Sequence, residues 1–478
     1  MESIKSYLSV IDPRLLRHIN GKTGEFLRIF QAKPYLDEAA FMAAMCTGKH
    51  SKKYYQNLKS KAIHMLQALA FISPPKGRSE VKKKFSICQK KFLIGQKFIA
   101  EKDQNEGVRL IRQGYKIAVD FQFTHMACEM ANILYKHHIY YQPNPKKARS
   151  YAKDMHQHLQ NYVLDKQAED IYLDIIIGKK KSDASRISSA IASLEGLQGD
   201  QERTIRYTLY FNILKVLQGF NGNSYGHVIT ACQNALNGFE GKKGVYSAHY
   251  QYFHSKMGLA YMALRAYDKG DAALERATQF APAHSFNEYI LHLYKTINAL
   301  QSGRYSQAYV LFRKHSKRCK YAPIKRHFAV IEAYFCFLAH YGLLRLDHKF
   351  RLGKYLNEQI LHRDQASGDN IPILIAELLV LLVRDKGGFI DRVEAIKTYS
   401  LRHLRGPEHT RAKLFLKILC QLPRANFHPQ ALQTRCKAVI DTLYATSLHI
   451  GNTTILTEII PFHALLELII DNISKKAA

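Results

Sequence analysis

Apolar residues recur at three- and four-residue spacing through almost every segment of this chain, and the alternation that marks a half-buried strand is nearly missing. The pattern predicts helices. It is broken at short runs rich in Gly, Pro, Asn and Ser: SPPKG (73–77), QPNP (142–145), GKKKSD (178–183), GLQGD (196–200), GKKG (241–244), APAHS (281–285), QASGDNIP (365–372), DKGG (385–388), RGPEH (405–409) and PRANFHP (423–429). The segments between these breaks have ordinary helix lengths, and the loops are short enough to make neighbouring helices antiparallel. The expectation is an all-α fold built from antiparallel helix pairs.

One stretch, MGLAYMALRAYDKGDAALERATQFAP from Met257 to Pro282, spaces small and aromatic residues as a helix pair needs them. Gly258 lets the neighbouring helix approach, Tyr261 fills the space between the paired helices and Tyr267 packs at the turn. Ala277 lies in the second helix, which Pro282 ends. In INALQSGRYSQAYVLFRKH, Gly303, Tyr305, Ala308 and Phe312 take matching places, and NSYGHVITACQNAL offers Tyr225, Cys232, Ala235 and Leu236. Over roughly residues 205–323 this pattern resembles the tetratricopeptide repeat. It departs from that family in having no Trp, in carrying Gly270 at the usual second-helix alanine, and in repeat spacings of 42 and 38. The whole arrangement is similar to bacterial helical-repeat proteins of unassigned function, a likeness that brings no activity with it.

The resemblance implies an α-solenoid of antiparallel helix pairs acting as a non-catalytic adaptor or scaffold. Its protein or peptide partner would dock on the face lined by the first helix of each pair. Polar residues at candidate contact positions on those helices are Asn212, Lys215, His254, Lys256, His292 and Lys295. Four regions are expected along the chain: an N-terminal three-helix unit (1–75), a basic region of degenerate helix pairs (76–204), the repeats (205–345) and C-terminal helix pairs (346–478).

The N-terminal unit reads as GEFLRIFQ, YLDEAAFMAAMC and SKKYYQNLKSKAIHMLQALAFIS, with TGKH (47–50) as a turn and Ser51 as the cap of the last helix. It suits either a solenoid cap or a helix-turn-helix-like module. The last helix has Tyr55, Leu58, Ala62, Met65, Leu66 and Leu69 as its buried stripe, and Gln67 and His64 face outward. Lys52, Lys53, Gln56 and Asn57 near its start could reach bases and phosphates, with Lys49 and Lys59 adding charge.

Charge adds a second possibility. The 478 residues carry 70 Lys and Arg against 39 Asp and Glu, a formal charge of +31, which attracts nucleic acid or acidic protein surfaces. The excess is densest in KGRSEVKKKFSICQKKFLIGQKFIAEK (76–102), where Lys82, Lys83, Lys84, Lys90 and Lys91 are expected as one basic ridge outside a core of Phe85, Ile87, Phe92, Leu93, Ile94 and Phe98. FRKHSKRCKYAPIKRH (312–327) is a second basic run.

Candidate chemistry is sparse. GKT at Gly21–Thr23 would place the first glycine of a phosphate-binding loop at Leu16, with no strand before it. His137 and His138, His156 and His158, and His125 with Cys128 do not reach the ligand number a metal needs. No cofactor or metal is expected, and no nucleophile signature is visible. The cysteines show no CxxC pairing and suit a reducing compartment. The most apolar run, IPILIAELLVLLV, contains Glu377 and is too short to span a bilayer. The expectation is a cytoplasmic protein without membrane insertion.

Overall fold

The computed structural model describes residues 2–32, 37–45, 52–74, 79–101, 103–178, 184–198, 203–348, 350–355, 371–404, 409–448 and 458–477, and every regular element among them is helical. The turn expected at 47–50, Lys49 and the Ser51 cap lie outside them. The chain forms two compact units, Met1–Tyr162 with Lys242–Val245, and Val163–Gly241 with Tyr246–Ala478.

The first unit begins with α1 (Glu2–Val10), α2 (Pro13–Leu16), α3 (Gly21–Ala32), α4 (Glu38–Met45) and α5 (Lys52–Ile72). Their core is aromatic: Phe41 stands edge-on to Phe26 and Phe30 at ring distances of 5.1 and 5.6 Å, and Tyr55, Leu58 and Leu66 of α5 close over it. The expected three-helix unit is corrected here. Ile4 on α1 and Ile11 just beyond it belong to the same core, and Gln67, which faces outward as expected, donates to the Tyr7 hydroxyl at 3.1 Å. Met65, expected in the buried stripe, lies one position off its axis and is 40% exposed.

Next come α6 (Glu80–Ala100), α7 (Gln104–Asp120), α8 (Thr124–Tyr140) and α9 (Pro145–Ile177), the last of which begins in the first unit and ends in the second. The buried line of α6 is Val81, Cys88 and Gly95, seven residues apart, and not the larger apolar side chains that the sequence suggested. Small residues win this face because the backbones of α6 and α7 nearly touch: a Cβ added at Gly107 would stand 2.8 Å from the Gly95 carbonyl oxygen. Ile87, Leu93 and Ile94, expected in the core, are 40%, 50% and 42% exposed.

The second unit contains α10 (Ala184–Gln198) and a series of pairs: α11 (Ile205–Asn221) with α12 (Tyr225–Phe239), α13 (Ser247–Ala263) with α14 (Tyr267–Phe280), and α15 (Phe286–Gln301) with α16 (Tyr305–Ser316). Consecutive helices pack, and the first helices of successive pairs also touch, α13 with α15 and α15 with α17 (Ala322–His340). That stacking of each helix pair on the next is the logic of an all-α solenoid. Pro282 follows an extended Ala281 at the end of α14, as its sequence position implied.

Four pairs, α7–α8, α11–α12, α13–α14 and α15–α16, reverse through the same backbone turn, and α17 ends in it too. Gln122, Asn223, Arg265, Gly303 and Gly342 sit at φ between 53° and 76°. In every case the residue after it donates its N–H to the carbonyl five back, as Ala266 does to Tyr261 at 2.9 Å and Arg304 to Ala299 at 2.9 Å. The residue itself donates to the carbonyl three back. This is the Schellman arrangement, which satisfies the last carbonyls of one helix while turning the chain into the next. Five residues beyond the turn residue the second helix buries Ala127, Val228, Gly270 or Ala308, and nine beyond it Ala131, Cys232, Leu274 or Phe312. The shared register shows that α7 and α8 make a pair of the same kind in the first unit. Gly258 has the role expected of it, since a Cβ there would meet Leu274 of α14 at 2.8 Å.

The C-terminal helices are α18 (Ile371–Arg384), α19 (Lys386–His403), α20 (Thr410–Leu419), α21 (Pro429–Ala445) and α22 (Phe462–Ala477), with a 3-10 turn at Pro423–Ala425. Buried Glu377 in apolar α18 is neutralised by Arg392 at 3.0 Å. A second ion pair is buried on both sides. Arg411, 5% exposed, holds Glu458, 4% exposed, with two donors at 2.8 and 2.9 Å, and donates to the Leu443 and Thr446 carbonyls. Glu458 also accepts from Phe462 N–H at 2.7 Å, and its carbonyl accepts from Gln301 of α15 at 2.6 Å.

Two outcomes test this architecture. Gly258→Leu overpacks the α13–α14 contact and is expected to cost about 1–3 kcal/mol, whereas Arg265→Gly relieves a left-handed non-glycine residue and gains up to about 1 kcal/mol; calorimetric melts should move in opposite directions. Arg411→Met leaves Glu458 buried without its counter-charge and should cost about 3–5 kcal/mol in urea unfolding, with the Arg411→Met/Glu458→Gln double variant recovering part of it.

Candidate protein-binding surfaces

Five of the six polar residues expected on first helices fall into two structural rows, and Lys256 stands apart from both. Asn212, His254 and His292 each lie eleven residues before their turn residue, a register that faces the helix pair's own interior. Asn212 is buried and donates to the Thr208 carbonyl at 2.8 Å. His254 lies flat against Phe280 of α14, with 5° between the rings, and His292 stacks on His315 of α16 at 3.4 Å. Asn212 and His292 are therefore corrected from partner contacts to interior groups.

Lys215 and Lys295 lie eight before their turn residues and reach back to the preceding helix. Lys215 pairs with Glu195 of α10 at 3.2 Å, and Lys295 with Glu275 of α14. The same register makes the same bond between neighbours. Lys256 sits between the rings of Phe220 and Tyr252, at 5.4 and 5.7 Å, and burial lowers its pKa. These positions join helix to helix, which spacing within one helix could not reveal.

The basic ridge of α6 also divides. Lys82 and Lys83 are exposed and make no ion pair among the described residues. Lys84 is half-buried, Lys90 donates to the Ile72 carbonyl at 2.9 Å, and Lys91 donates to Gln113 of α7. Lys90 and Lys91 are thus corrected from a free phosphate-binding ridge, being committed to the protein's own polar atoms. What the outer face of α6 presents is mixed. Ile87 and Ile94 are seven apart, Lys83, Lys90 and Lys97 are seven apart beside them, and Leu93 flanks the row. This spacing was visible in the sequence but was read as core. The second basic run lies in the other compact unit, where Arg313 is paired with Asp347 at 2.6 Å and Cys319 is buried.

On α5, Lys52, Lys53, Gln56 and Asn57 are all exposed, opposite Tyr55 and Leu58. Lys59 is taken by Glu38. The histidines considered as metal ligands serve packing: His158 shares a hydrogen bond with the Tyr115 hydroxyl at 3.1 Å, His138 stacks on Tyr151, and His125 lies near Phe85 and Tyr162. Among the described residues no three His, Cys, Asp or Glu side chains converge as a metal would require. No helix among them is long and apolar enough to cross a membrane.

The stacked histidines set a pH dependence. Burial pushes His292 and His315 down to about 4, helped by Lys295 and Lys314 and opposed by Glu275 and Glu288. The unfolded chain, with histidines near 6.5, binds more protons below that pH, so the stability they contribute is present above about 6.5 and is lost as pH falls towards 4. Melting temperature should drop over that window, and His315→Phe, which keeps the ring and removes one titration, should flatten the drop.

No family model matches the chain, and no curated protein sequence matches it.

Proposed function

We propose that the chain is a non-catalytic, tetratricopeptide-like helical-repeat adaptor that binds a protein partner through the outer face of α6. One observation carries this reading: Ile87, Leu93 and Ile94 are 40–50% exposed on the outer face of α6, with Lys83, Lys90 and Lys97 running between Leu93 and the two isoleucines. Isolated exposed apolar residues need no explanation, but three on one helical face around a regular basic stripe form a mixed seam. Its heptad-like spacing suits an amphipathic helix with an apolar stripe and acidic flanks, the helix-to-helix form of partner recognition. A phosphodiester backbone would use the lysines and leave the isoleucines in water. The recurrent turns and packed pairs support a scaffold role, since they supply rigid surface.

A second reading rests on a separate observation. Lys52, Lys53, Gln56 and Asn57 share the exposed start of α5, with Lys82 and Lys83 exposed on α6, and these would suit nucleic acid.

Fluorescence anisotropy on the full chain separates the two. A labelled amphipathic peptide with a leucine stripe and glutamate flanks is expected to bind with weak salt dependence, and Ile87→Asp/Ile94→Asp should weaken it at least tenfold with the fold intact. If instead only duplex DNA or random RNA binds, with an affinity falling log-linearly with salt and sensitive to Lys82→Gln/Lys83→Gln or Gln56→Ala/Asn57→Ala, the nucleic-acid reading replaces the adaptor.

A further inference from the structure

A pocket of about 370 Å³ opens between α19 and α20 in the second unit. Its cations come from three elements: Lys397 from α19, Lys413 and Lys417 from α20, and Arg424 from the 3-10 turn. Glu394 is the one carboxylate among the pocket's lining residues. It is already shared, standing 3.5 Å from Lys397 and 3.9 Å from Arg424. Lys413 and Lys417 have no carboxylate partner among the described residues, although they lie four apart on one helical face, where like charges repel. The pocket floor between these cations is apolar. It is made by buried Leu416 and Cys420, whose thiol points at the Val393 carbonyl at 3.9 Å and is held neutral, burial pushing it up to about 11.

We infer that this pocket binds a phosphate monoester carried on an aromatic or similarly flat apolar group. Four cations against one carboxylate exceed what a single carboxylate ligand would balance, whereas a dianionic phosphate accepts several donors at once, including an arginine fork. The apolar floor supplies the rest of the contact, with the lysine stems as walls. The volume is that of a small-ligand site and admits one phosphorylated aromatic group. The inference does not rest on the α6 surface, which belongs to the other compact unit.

Isothermal titration of the full chain with inorganic phosphate, phenyl phosphate, a nucleoside monophosphate and a phosphotyrosine peptide tests it. The esters are expected to bind at least tenfold tighter than inorganic phosphate. Lys413→Gln/Lys417→Gln should weaken them at least tenfold, and the exposed-site variant Arg424→Gln, which leaves packing untouched, should act in the same direction while the melting temperature holds. Tighter binding of the peptide than of phenyl phosphate would place the ester on a protein, and the reverse would place it on a free small molecule; either supports the site. Failure of every ester to bind, or equal binding by wild type and by folded Arg424→Gln and Lys413→Gln/Lys417→Gln, would overturn it.

Discussion

The left-handed turn residue between paired helices is the constraint on which the rest depends. With φ near 60° it lets a helix end and its successor start within three residues, and two backbone hydrogen bonds close the reversal. Once that geometry is set, the positions five and nine residues beyond it have nowhere to go but the pair's interior, which is why Ala, Val, Cys, Leu and Phe recur there. The same register fixes which polar residues look inward and which reach the preceding helix. Asn212 and His292 on one row, and Lys215 and Lys295 on the other, follow from distance to the turn and not from their own chemistry.

Polar groups inside this protein are of two kinds with different consequences. Arg411 and Glu458 satisfy each other and the surrounding carbonyls, so they tie α15, α20, α21 and α22 to a single arrangement as long as both are present. The histidine stack is held neutral by its surroundings and contributes only while it remains so. One kind gives specificity through pairing; the other makes the interior conditional on proton concentration.

Much of the fold was legible in the sequence because the repeat around Gly258 carries its packing logic in side-chain size. The helix breaks, the all-α class and the buried stripe at Tyr55, Leu58, Ala62 and Leu66 follow from periodicity alone. The α7–α8 pair was hidden because Gln122, not glycine, occupies its turn, and the left-handed backbone of a glutamine leaves no mark in sequence. The inner face of α6 was misread for a related reason: periodicity ranks isoleucine above glycine as core, but a close backbone crossing prefers the glycine. The ion pairs of Lys215 and Lys295, and the convergence of Lys397 with Lys413 and Arg424, depend on which helix lies beside which. A single chain's spacing does not encode that neighbour relation.

Because the reversal is closed by main-chain atoms, its two hydrogen bonds do not depend on which side chain stands at its tip. Four such reversals and the end of α17 carry Gln, Asn, Arg, Gly and Gly at the same place. A non-glycine occupant costs about 1–2 kcal/mol that the packed pair absorbs. The same reversal therefore stands on different letters within one chain, and its mark is a pair of backbone angles and not a residue type.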